Sequence, residues 1–73
     1  MNWNLEGMKV EGTYMGEFPV TGKVEYSRVK YGGEVTHGVV LDTPIMVYGA
    51  LRERVNLEHK YIDRVSDDNR EFA

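Results

Sequence analysis

A chain of 73 residues without cysteine can form one small domain, and it has neither a disulfide nor a thiolate metal site to stabilise it. Its composition, 41% apolar and 29% charged, is that of a folded domain rather than a disordered one, and no apolar run approaches the ~20 residues of a membrane span. The net charge of −3 disfavours extensive coating of duplex nucleic acid but leaves room for a local basic site or a protein partner.

Ten valines, five tyrosines and eight glycines favour strands joined by tight turns. Asn2 to Glu6 is polar apart from Trp3 and Leu5, and a lone Trp there is expected to plug the end of a core or an interface. Met8 to Met15 alternates, with Met8, Val10, Gly12 and Tyr14 on one face. Turn chemistry follows at Gly16-Glu17-Phe18-Pro19, and a second alternating run sets Val20, Gly22, Val24 and Tyr26 inward. These two runs predict a hairpin.

At Ser27-Arg28 the apolar phase slips, because Val29 and Tyr31 are odd-numbered where Val24 and Tyr26 are even. A strand changes face only through an extra residue, so a β-bulge or bend is expected there. Gly32-Gly33 reads as a tight turn, and the return strand groups Val35, His37, Val39 and Leu41 before Asp42-Thr43-Pro44 breaks it.

Ile45 to Leu51 is apolar on both faces, which suggests burial against a second subunit if it is a strand. A helix over residues 44 to 55 competes, with Thr43 as its cap and Pro44 at its first position, although Gly49 and the β-branched content favour strand. Leu51 to Leu57 alternates with Leu51, Val55 and Leu57 inward, Glu58 to Lys60 reads as a turn, and Tyr61 to Val65 as a closing strand or a single helical turn. The core is thus expected over 8 to 65, with 66 to 73 a frayed polar tail.

The fold class this predicts is all-β, a small, strongly bent barrel of five to six strands. Gly22-Lys23-Val24, His37-Gly38-Val39-Val40-Leu41 and Tyr61-Ile62-Asp63-Arg64-Val65 resemble the strand rhythm of SH3-like barrels and their Sm-like relatives. That resemblance implies a late strand pairing with a neighbouring subunit, hence a homo-oligomer. The chain lacks the Sm-like N-terminal helix and Asp-x-x-x-Asn loop, so no RNA-binding residue carries over. In size and style it also resembles compact, cysteine-free proteins encoded by bacteriophages.

No catalytic residue, metal ligand or cofactor is expected. Neither serine lies in a Gly-x-Ser-x-Gly elbow, His37 and His59 have no ligand spacing, and no helix follows Gly32-Gly33 to form a phosphate loop. The stronger pattern combines cations with aromatics: Arg28, Lys30 and Tyr31 around the bend, and Tyr48, Arg52 and Arg54 along a later strand. Guanidinium groups fork onto phosphates and tyrosine rings stack on bases. His37 is a possible further ligand residue, but among Val35, Val39 and Leu41 it reads first as a buried, hydrogen-bonded histidine.

The expected function is therefore a non-catalytic, homo-oligomeric binder of a nucleotide-type anion, either single-stranded nucleic acid or a small signalling nucleotide. A sequestering or inhibitory role would suit a phage protein. The alternative is a protein-binding module, an inhibitor or virion accessory factor, working through a strand edge and a Tyr/Met surface. A cytoplasmic location is expected, that of the host if the protein is phage-encoded, because the N-terminus has no basic-then-apolar signal.

Overall fold

A computed structural model describes residues 3–66. The chain forms five antiparallel strands, β1 (Lys9–Tyr14), β2 (Phe18–Val29), β3 (Val35–Val47), β4 (Ala50–Glu58) and β5 (Ile62–Ser66), with a 3-10 turn (His59–Tyr61) before the last. They make one sheet in the order β4-β3-β2-β1-β5. The all-β expectation holds. The sheet is not closed into a barrel, because β4 and β5 lie at opposite ends of this order and do not pair among the described residues. No described helix is long and apolar enough to cross a membrane.

Cross-strand register builds the core. Val24, Val39 and Val55 form one row across β2, β3 and β4, and Ser27, His37 and Leu57 form the next. Val10, Val20, Leu41 and Leu5 complete the buried cluster, with Met8, just before β1, and Tyr14, at the end of β1, packed against it as the alternation predicts. Leu5 enters because the N-terminal segment is bonded along β2: Gly7 N–H donates to Val24 O, and Val24 N–H to Met8 O. Trp3, expected to plug the end of a core or interface, is exposed.

The turns follow backbone chemistry. Met15 and Gly16 have positive φ in the first hairpin loop, and Gly32 and Gly33 (φ 101° and 91°) carry the second. Tyr48 and Gly49 (φ 48° and 83°) join Val47 to Ala50 in a two-residue turn, the backbone form whose twist suits antiparallel strands. Residues 44–55 are thus strand, not helix, and Gly49 is a turn rather than the middle of a strand.

Three expectations are corrected by the register. The bulge in β2 falls between Val24 and Tyr26, at Glu25, ahead of Ser27-Arg28. Tyr26 therefore turns to the outer face and Ser27 inward, where His37 satisfies its hydroxyl. Asp42-Thr43-Pro44 does not break β3. The β3–β4 register shifts between Val40 and Ile45, so Pro44 sits in an irregularity where its missing N–H removes no ladder bond. Leu51, expected inward, is exposed beside its cross-strand partner Met46. Of the expected frayed tail, Ser66 ends β5, and the rest lies outside the described residues.

Candidate functional site

The face opposite the core carries the polar chemistry. Tyr26, Gly38 and Asn56 form one row across β2, β3 and β4, and Lys23, Val40 and Arg54 another. Gly38 is the residue that makes the first row possible. A Cβ there would overlap the Tyr26 ring, so its absence lets the ring lie flat on the β3 backbone. The Tyr26 hydroxyl then donates to Asn56 Oδ1 at 2.7 Å, which fixes both side chains. The Arg28 guanidinium stands 5.3 Å from the Tyr26 ring centroid, within cation–π range.

Arg52 and Arg54, two residues apart on β4, border this row. With Glu25, Tyr26, Gly38 and Asn56 they line a groove of about 280 Å³, which also reaches the core-side residues Tyr14, Val39 and Val55. Glu25 reaches the groove because the bulge turns it out, and its carboxylate lies 3.6 Å from Arg54 Nε. That separation is long for a charge-assisted bond, and both groups are well solvated, so the pair is weak. Among the lining residues two guanidinium groups, Arg52 and Arg54, thus stand against one carboxylate, Glu25. The groove is locally cationic on a chain of net charge −3.

The remaining sequence candidates lie elsewhere. Lys30 and Tyr31 sit at the β2–β3 turn, where Lys30 N–H donates to Glu34 O and the Tyr31 ring is fully exposed. Tyr48 does not join Arg52 and Arg54, because the turn at 48–49 ends the alternation that put them on one side. Its hydroxyl donates to Glu17 Oε2 at 3.1 Å, and its ring meets Phe18 edge-on at 6.0 Å. The hydrogen bond to Glu17, and then the charge of that carboxylate, hold the Tyr48 phenol above its ordinary pKa.

His37 is on the inner face and wholly buried. Its Nδ1 is 2.8 Å from Ser27 Oγ and its Nε2 is 2.8 Å from His59 Nδ1, so both ring nitrogens are occupied. Ser27 Oγ also accepts the Leu5 N–H, which ties the N-terminal segment to the same chain of bonds. Burial first, and the neighbouring His59 second, keep the His37 pKa below its ordinary value. Sequence reasoning gave His59 no part here, because the two histidines meet only through the β3–β4 register and the 3-10 turn.

Tyr26, Gly38 and Asn56 are likewise absent from the sequence-derived set. The glycine opposite an aromatic was the available signal, but it requires knowing the register. No family model, curated protein or solved structure matches this chain.

Proposed function

We propose that this protein is a non-catalytic binding domain that holds a nucleotide-type anion in the β2–β3–β4 groove, as a free nucleotide or as one unit of a single strand. The observation that carries this reading is the grouping of Arg52 and Arg54 with an immobilised aromatic ring, Tyr26, in one groove. Arginine forks suit phosphate oxygens, and aromatic faces stack on any base. A sequestering or inhibitory role fits a groove that offers binding groups only.

Homo-oligomerisation belongs to the same proposal. The five strands, the bend in β2 and the glycine-bearing turns favour an SH3-like or Sm-like architecture, in which a late strand serves the neighbouring subunit. β4 and β5 each have a free edge among the described residues, and Met46 and Leu51, cross-strand neighbours at the end of β3–β4, are each 61% exposed. The same apolar pair favours a second reading, a protein-binding module anchored on that hairpin.

A thermal-shift panel of mononucleotides, cyclic nucleotides and short oligonucleotides tests the first reading. A ligand at ten times its Kd stabilises the native state by about 1.4 kcal/mol, which for a domain this small raises Tm by roughly 6–10 °C. A panel without any shift would leave the protein-binding module as the better account.

A further inference from the structure

We propose that the groove selects its base: the base lies flat on Tyr26 beneath Arg28, and Asn56 favours guanine over adenine. This inference rests on the reading of the groove as a nucleotide site.

One face of the Tyr26 ring is taken by the Gly38 backbone, which leaves the other toward Arg28. A planar base between ring and guanidinium needs two contact distances of about 3.5–4.0 Å each, so roughly 7–8 Å in all. The guanidinium is now 5.3 Å from the ring centroid. An outward swing of the exposed Arg28 side chain by about 2–3 Å, a matter of rotamers, therefore opens the slot. The ring itself does not need to move, since its hydroxyl is already bonded to Asn56. The slot adjoins the groove through Tyr26 and Asn56, and at about 280 Å³ that groove suits one nucleotide rather than a duplex segment.

Selectivity comes from the direction of that hydroxyl bond. An asparagine reads adenine by accepting from N6 through Oδ1 while donating to N7. Here the Tyr26 O–H, bonded to Oδ1, holds the amide with its oxygen toward the tyrosine hydroxyl and its two N–H donors turned away from it. Guanine presents two acceptors, O6 and N7, on the same edge. Both purines stack alike, so the difference between them isolates the contribution of Asn56.

Calorimetric titration of 5′-GMP, 5′-AMP and ribose 5-phosphate is the test, with the tetranucleotides UUGU and UUAU distinguishing a free nucleotide from a strand. The parent is expected to bind GMP on the order of tenfold more tightly than AMP, and UUGU more tightly than UUAU if the source is a strand. Asn56→Ala should level GMP and AMP. Tyr26→Phe keeps the ring but releases Asn56 Oδ1, so AMP should gain on GMP while stacking persists, a change that a merely structural role for Tyr26 would not produce. Equal binding of GMP and AMP by the parent would overturn the base selection. Ribose 5-phosphate binding as tightly as both nucleotides would also overturn it, while leaving an anion groove in place. Absence of binding by every compound would remove the nucleotide reading itself.

Discussion

Between pH 7 and 5 the protein should lose stability through His37. The imidazole is wholly buried, with Ser27 Oγ on one nitrogen and His59 Nδ1 on the other. Only one proton fits between two nitrogens 2.8 Å apart, and burial itself disfavours the cation. The folded-state pKa is therefore depressed below 6.5, while the unfolded chain titrates near that value. As pH falls below about 6.5 the unfolded state gains a proton that the folded state refuses. Stability is complete above that pH and declines until the lower folded pKa is reached, at up to about 1.4 kcal/mol per pH unit. From pH 6.5 to 5 the loss is at most about 2 kcal/mol, a sizeable share of the ~4–11 kcal/mol expected for a chain of this length. Carboxylates titrate near pH 4 when unfolded and contribute little in this window. Urea unfolding of the parent and of His37→Gln at pH 7, 6 and 5 reads the effect. The parent should show the steeper decline, and parallel declines would refute the reasoning. Should the buried replacement not fold, imidazole NMR of His59→Gln is the check, because removing the neighbouring imidazole, the second cause of the depression, is expected to raise the His37 titration point.

Two further outcomes follow from the packing. Gly38→Ala places a Cβ where the Tyr26 ring lies, so urea unfolding should show a loss of about 1–3 kcal/mol. In a Tyr26→Ala background the same change should turn neutral or stabilising, by up to about 1 kcal/mol, because only the backbone-entropy benefit of alanine remains. A loss of equal size in both backgrounds would show that the ring is not the obstacle. Met46→Glu with Leu51→Glu puts like charges opposite each other on an exposed apolar pair, and sedimentation should then give an 8.4 kDa monomer where the parent associates. A parent that sediments at 8.4 kDa even at high concentration would remove the subunit-edge proposal.

Strands, turns and core were legible in the sequence wherever apolar alternation and glycine carried the signal. Val10, Val24, Val39 and Leu57 are buried as their spacing requires, and Gly32-Gly33 turns the chain as expected. Misreadings arose where a polar residue faces inward or an aromatic faces outward. Ser27 is inward because His37 accepts it as a partner, and Tyr26 is outward because Gly38 leaves room for its ring. Periodicity counts apolar residues and cannot see either arrangement. Apolar phase alone therefore points to a bend at Ser27-Arg28 rather than at Glu25. Pro44 misled in the same way, since a proline inside a strand reads as a break unless the register shift that tolerates it is known. For the groove, the pairing of Arg52 with Arg54 could be read from their spacing. Their meeting with Tyr26 and Asn56 depends on cross-strand register over thirty residues of chain, which no local pattern encodes.

The central claim, that Arg52 and Arg54 bind phosphate in this groove, is tested most directly by the salt dependence of single-strand binding. Affinity for a labelled eight-nucleotide strand is measured across a salt series for the parent and for Arg52→Ala/Arg54→Ala, with both checked by circular dichroism to be folded. If each arginine neutralises one phosphate, the slope of log K against log salt should be shallower in the variant by about 1.4. Identical slopes and affinities in two folded proteins would contradict the account.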